Sequence, residues 1–375
     1  MAPAESPSTI PEPTVPLAAP GIRKRRRWPW VILVLVALAV AVTSRINLDY
    51  YALQPGTAQS VQQFITVPAD KNHPVSRPVL LTDVEIGRVT ALSYLFYKLQ
   101  SDTALEPVGE VTGGTPPSQL NAQGDLEMSQ AEAAAKTAAL KKLGYPVTAK
   151  AAGAVIFGTF PGTPAYSTLN VGDVITEVNG VATPTALALT HSLARYHSGQ
   201  TITLTVLKKG TAKPAPVPVT LKTTAVDLGG TRPAHLDLGI EPEDQVDYTY
   251  PFPVTIDVTN IGGPSAGLAM TLGVIDALTS GSITGGHTVA ATGTIDNLGN
   301  VGDVGGVAQK TVAVENAGAS IFLVPPPEYA AAMSKDRPGL QVYAVSTLSQ
   351  ALTILAGHGG SVSVTTAGHR TTPAG

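Results

Sequence analysis

Gly262-Gly263-Pro264-Ser265-Ala266-Gly267, followed forty-five residues after its serine by the lysine of Gly305-Gly306-Val307-Ala308-Gln309-Lys310, is the part of the sequence that decides the reading of the chain. The glycine-rich turn runs into Ser265 to Leu278, which is apolar nearly all round and predicts a buried helix with the serine at its start. A serine hydroxyl needs a neighbouring base, and a lysine serves only once its ammonium has released a proton. Val307, Ala308, Val312 and Ala313 surround Lys310 with apolar side chains, the setting that favours a neutral amine. At the helix start the backbone amides of Gly263, Ser265 and Ala266 are candidate oxyanion donors, whereas Pro264 has none to offer.

Working outward, an alternating strand is expected over 253–258 before the turn and a second strand over 288–292 after it. A glycine-punctuated loop, a helix near 307–317, the stop at Gly318 and an apolar strand over 321–324 complete the α/β pattern. Gly263-Pro264-Ser265-Ala266-Gly267 also satisfies G-x-S-x-G, so an α/β-hydrolase triad of Ser265 with Asp336 and His358 is a rival reading. Too few strands precede the serine for that fold.

These residues resemble the proteolytic domain of the Lon family. The match runs through G-P-S-A-G-L-A-M (263–270), L-T-S-G (278–281), A-T-G-T-I-D-N-L-G-N-V-G (291–302), V-G-G-V-A-Q-K (304–310) and A-G-A-S-I-F-L-V-P (317–325). The resemblance implies a Lon-like proteolytic domain over 227–356 with Ser265 as nucleophile, Lys310 as general base and Thr292 orienting the lysine. It also implies a homo-oligomer, with a hexameric ring as the expected form. The sequence departs from the family's usual pattern at Gly263, where an acid is usual, and at Thr294, where a glutamate is usual.

Upstream, Ala154 to Phe157 reads as a strand and Gly172-Asp173-Val174-Ile175-Thr176-Glu177-Val178-Asn179-Gly180 as a strand closed by an Asn-Gly turn. Thr183 and Pro184 are expected to open a helix that ends before Gly199, and a strand follows over 201–208. This resembles a bacterial PDZ domain over 145–226. The resemblance implies a peptide groove with Gly153, Ala154, Val155, Ile156 and Phe157 on the strand side and Leu187 to Leu193 on the helix side. Such a groove takes an extended peptide as an added strand.

Residues 45–144 mix short β-rich runs with an apolar stretch over 89–99, a loop over 110–124 and an alanine-rich helix over 129–143. Residues 1–27 are proline-rich and end in the basic cluster 23–27, and 357–375 are polar; both are expected to be disordered. The uncharged apolar run 28–44, flanked by that cluster and by Trp28 and Trp30, is expected to be one transmembrane helix. That places the N-terminus in the cytoplasm and the later domains outside it. The anchor and PDZ segment together resemble the membrane-anchored PDZ and Lon-like serine proteases of bacteria.

Beyond residue 44 there are 19 basic against 25 acidic side chains, which argues against nucleic acid as a partner. No G-x-x-x-x-G-K-[ST] occurs, so no ATP requirement is expected, and no other cofactor. With no cysteine, and with His191 and His197 six apart outside any H-E-x-x-H, no metal is expected. The chain thus reads as an ATP-independent, membrane-tethered serine endopeptidase with PDZ-like substrate selection. A non-catalytic envelope scaffold that uses the groove alone is the alternative outside the enzymes.

Overall fold

A computed structural model of the chain describes residues 28–75, 77–226, 234–258, 262–335 and 338–362. The proline-rich tail with its basic cluster, Asp336 and the last thirteen residues lie outside them.

In chain order the principal helices are α1 (Trp28–Thr43), α2 (Ala91–Lys98), α3 (Pro117–Lys142), α4 (Ala186–Leu193), α5 (Gly267–Leu278), α6 (Val307–Asn316) and α7 (Leu348–Gly357). The principal strands are β1 (Asn47–Ser60), β2 (Val79–Thr90), β3 (Ala104–Pro107), β4 (Thr148–Thr159), β5 (Val174–Val178), β6 (Thr201–Leu207), β7 (Ala215–Thr220) and β8 (Ile240–Thr249). They continue with β9 (Val289–Ala291), β10 (Thr294–Ile295), β11 (Val301–Gly302), β12 (Ile321–Val324) and β13 (Gln341–Ala344).

Two larger sheets organise the molecule. The first runs β13-β12-β9-β2-β1-β3, with β2, β9, β12 and β13 parallel and β1 antiparallel to β2. Period-2 alternation sorts its side chains onto two faces. Val79, Leu81, Val289, Ala291, Ile321 and Leu323 pack under α5 and the C-terminal half of α3. Leu80, Ala290, Phe322 and Val324 pack under α6 with Val307 and Val314. Every residue of α5 is buried, as expected of a helix apolar all round that lies between a sheet and another helix. Strands from the 45–144 segment are therefore interior members of the sheet that carries β9.

The second sheet runs β8-β4-β5-β6-β7 and has its own core of Ile156, Ile175, Leu189, Leu204 and Val206. Asn179 (φ 50°) and Gly180 (φ 76°) make the tight turn after β5, the left-handed pair that Asn-Gly supplies. α4 starts two residues later than expected. Its N-cap is Thr185, whose Oγ1 accepts from the Ala188 amide at 3.1 Å, and Thr183 is buried ahead of it. α3 starts twelve residues earlier than expected, with Pro117 at its first position, so most of the segment read as a loop is helix. Fixed φ at Pro117 suits a first turn, and packing of Met128, Ala131, Ala135 and Leu140 into the first core offsets the weak propensity of Gly124.

The expected membrane span is corrected. α1 has 16 residues, about 24 Å at 1.5 Å per residue, against a hydrocarbon layer of roughly 30 Å. Among the described residues no helix is long and apolar enough to cross a membrane, which overturns the single-pass placement and the cytoplasmic and extracytoplasmic sidedness built on it.

Candidate active site

The turn before α5 is set by Gly263, whose φ of 85° and ψ of 157° suit only glycine. Pro264 to Ala266 then form a single 3₁₀ turn that leads into α5, leaving Ser265 half-buried at the helix mouth. The backbone of this turn is pinned to the end of β9: Gly293 N–H donates to Ser265 O at 2.9 Å, and Leu268 N–H to Gly293 O at 3.0 Å. Gly267 leaves no room for a side chain, because a Cβ there would stand 2.8 Å from the Ile295 amide nitrogen.

Lys310 lies on the first turn of α6 and is only 2% exposed. Its Nζ donates to Thr292 Oγ1 at 3.2 Å, and the Thr292 hydroxyl donates to Ser265 O at 3.3 Å. Ser265, Thr292 and Lys310 thus stand in one hydrogen-bonded row across the gap between α5, β9 and α6. Lys310 makes no ion pair among the described residues. Burial pushes its ammonium down from 10.5 to about 8, against the opposing pull of the Asp83 and Glu328 carboxylates. A lysine held in this way is a proton acceptor at mildly alkaline pH.

Of the candidate oxyanion donors, Gly263 is committed elsewhere, since its N–H donates to Gly124 O of α3 at 3.3 Å. Ser265 and Ala266 belong to the first turn, where backbone amides are short of intrahelical acceptors. The link to Gly124 was not legible from sequence, because nothing in the Gly124 region marked it as a neighbour of the serine turn.

The rival triad fails on position. His358 follows α7, where its Nε2 shares a 2.8 Å hydrogen bond with Tyr343 Oη and its ring meets that of His287 edge to face. His287 precedes β9, and Thr292 with its bond to Ser265 follows β9. The five residue steps from one to the other are about 16 Å of extended chain at 3.3 Å per residue. Asp336 lies outside the described residues.

The groove also moves. Gly153 to Phe157 belong to β4, which is paired on both sides: Ala154 with Ile175 and Asp244, Val155 with Val174 and Glu243. An interior strand offers no free edge for an added one. The edge strand is β8, and between it and α4 lies a cavity of about 270 Å³. Ile240 and Pro242 of β8 line it with Leu238, facing Thr190, Leu193 and Ala194. Leu193 is therefore a wall of this cavity, whereas Leu187 is 64% exposed and does not line it. β8 lies some thirty residues beyond β6, past the stretch that carried the PDZ pattern, and so was not assigned to the groove. The described residues hold no cluster of three or more His, Cys, Asp and Glu side chains with metal-binding geometry.

The model of the Lon protease (S16) C-terminal proteolytic domain matches residues 252–355, and the PDZ domain model matches residues 132–207. Lon protease 2 of Bacillus subtilis (strain 168) is 34% identical over 116 residues, 31% of this chain and 20% of that protein. Lon protease of Clostridioides difficile (strain 630) is 46% identical over 63 residues, 17% of this chain and 8% of that protein. The chain thus spans a fifth or less of the length of these curated relatives. Among solved structures, the PDZ domain of an SdrC-like protein from Listeria monocytogenes is similar at 25% identity. It covers 24% of this chain and 87% of that one with a TM-score of 0.19. The corresponding domain from Listeria innocua is 24% identical, covers 24% and 92%, and has the same TM-score. The chain thus holds one stretch that matches the Lon protease C-terminal proteolytic domain and another that matches a PDZ domain.

Proposed function

We propose that this chain is an ATP-independent serine endopeptidase in which Ser265 is the nucleophile and Lys310 the base, with extended protein substrates held at the edge of β8. The observation that carries the reading is the buried lysine without an ion pair, bonded to a threonine that is itself bonded to the nucleophile's own backbone. Neutral Lys310 takes the proton from Ser265 Oγ as that oxygen attacks the peptide carbonyl, and then passes it to the departing amine. Water hydrolyses the resulting acyl-enzyme with the same lysine as base. The amides of Ser265 and Ala266, with the positive end of α5 behind them, are the donors for the oxyanion.

In this reading an extended segment of substrate adds to the free edge of β8, its side chains entering the apolar cavity opposite Leu193. ATP independence is supported by the lack of a G-x-x-x-x-G-K-[ST] sequence within the chain. Self-association into a ring of six copies is part of the proposal by resemblance.

The test is hydrolysis of dye-labelled casein by the full chain, with and without ATP, beside Ser265→Ala and Lys310→Ala. Cleavage that ignores ATP and disappears in both variants supports the proposal. Cleavage that survives Lys310→Ala would remove the lysine from its role. No cleavage by the parent chain at any pH from 7 to 10 would favour an inert scaffold, a reading to which the bond between Gly263 and Gly124 also lends itself.

A further inference from the structure

One buried hydroxyl near the lysine has no hydrogen bond. Thr82 of β2 is 2% exposed, and its Oγ1 is without a partner among the described residues. A buried hydroxyl in that state is destabilising, and cores seldom retain one without a use for it. Its place in the sheet points to the use.

β2 pairs parallel with β9, Val79 beside Val289 and Leu80 beside Ala290. The same register continued by two residues brings Thr82 level with Thr292, on the neighbouring strand about 4.8 Å away. Alternation puts Thr82 on the face of Leu80, Ala290 and Phe322, the face covered by α6. α6 is close to β2 there, since a Cβ on Gly306 would stand 2.8 Å from a Val84 methyl. Both threonines thus fall, by this continuation of the register, on the α6 side of the sheet at the end of β9; Thr292 is bonded to Nζ, and Thr82 Oγ1 has no bond among the described residues.

We propose that Thr82 is a positioning residue for Lys310, its hydroxyl accepting an N–H from the ammonium that forms as the proton of Ser265 is taken up. This rests on the lysine being the base. Neutral Lys310 has two N–H groups and one lone pair, and it gives one N–H to Thr292 while the lone pair faces Ser265. Once protonated it has three N–H groups: one stays on Thr292, one carries the proton on toward the substrate nitrogen, and the third, left unbonded in the neutral amine, becomes a charge-assisted donor that requires an acceptor. Thr82 Oγ1, idle in the resting pocket, supplies it after a small turn of the lysine side chain. The hydroxyl thereby stabilises the charged state selectively, which is how an interaction accelerates a step rather than merely binding.

The test uses the full chain with Thr82→Val, Thr82→Ala and Thr82→Ser, measuring thermal melting and the pH dependence of casein hydrolysis. Replacing an unbonded hydroxyl by a methyl group of the same shape should leave the melting temperature unchanged or raise it. Loss of one hydrogen bond to a charged group should lower kcat about tenfold and move the acid limb of the kcat/KM profile down by about one pH unit. Thr82→Ala should move the limb in the same way if the valine fits poorly, and Thr82→Ser should restore both rate and limb. An acid limb that stays in place in both hydroxyl-free variants, or a serine variant that behaves like valine, overturns the role of Thr82. Lys310→Ala run alongside separates the two ideas, because activity surviving in that variant refutes the dyad itself.

Discussion

Lys310 Nζ and Thr292 Oγ1 stand 3.2 Å apart, and the same hydroxyl reaches on to the carbonyl of Ser265, so one threonine fixes the lysine relative to the backbone of Ser265. Replacing it by valine keeps the shape and removes both bonds. Thr292→Val is expected to lower kcat by about 10 to 100-fold with little change in KM, the scale on which loss of orientation acts in catalysis. Steady-state kinetics on casein-derived peptides separates the two constants.

The pH dependence follows from burial of the amine. With Lys310 lowered to about 8, activity should rise along an acid limb centred near pH 8, since the charged lysine cannot accept a proton. The folded protein holds that proton less tightly than the unfolded chain does. The lysine's stabilising contribution is therefore complete only above 10.5 and is lost as the pH falls through about 8. Lys310→Met should be inactive yet more stable at pH 7 by about 1 to 3 kcal/mol, as read by denaturant unfolding.

Asp276 is expected to weaken the fold at neutral pH. It lies in α5 with Oδ1 accepting from the Ile283 amide at 3.1 Å and Oδ2 buried without a partner, and burial pushes its carboxyl up to about 6. A carboxyl that binds its proton more tightly when folded contributes stability in acid and loses it as the pH rises through about 6. Asp276→Asn should raise stability at pH 7.5 by about 1 to 3 kcal/mol and flatten its dependence between pH 4 and 7.

Gly263 tests the serine turn. There is space for a methyl group at this position, yet φ is 85°. Gly263→Ala should therefore cost about 1 to 3 kcal/mol of backbone strain or relax into a displaced turn. In either case casein cleavage falls while the melting curve remains cooperative. Retention of full activity would show that the turn tolerates an ordinary backbone.

The groove is separable from the chemistry. Leu193→Asp places a charge in the cavity between α4 and β8 without touching Ser265 or Lys310. Hydrolysis of a large unfolded protein should drop about tenfold or more through KM, with short peptides cleaved as before, because an unpaired charge in an apolar pocket disfavours the occupant. Equal loss on both substrates would mean that the groove does not hold substrate.

Residues with a strong local pattern were legible in advance, and those placed by distant pairing were not. The all-apolar run after Ser265, the Asn-Gly turn at 179–180 and the glycine-bounded helix of Lys310 announce themselves through periodicity and turn chemistry. Thr82 looks like any threonine in a strand, and only the pairing of β2 with β9, which ends two residues before it at Leu80 and Ala290, directs it toward Thr292. The edge of β8 was missed for the same reason, since its partner β4 lies about ninety residues earlier. The helical part of α3 ahead of Ser129 was misread because local propensity at Gly124 points away from helix, whereas packing against α5 and the serine turn decides otherwise. At the N-terminus, hydropathy alone suggested a span, and the sixteen residues that form α1 fall short of the required length.

The order of the first sheet bears on how this molecule is built. β1, β2 and β3 come before the PDZ sheet in the chain, and β9, β12 and β13 come after it, yet all six close into one layer. The second sheet is thus inserted within a first layer that is discontinuous in sequence. A fragment trimmed to the matched proteolytic residues, 252–355, would expose the edge of β9 and lose the Val84 wall beside Gly306. Cutting one loop of the inserted unit, by contrast, would leave two pieces still zipped together through β2 and β9.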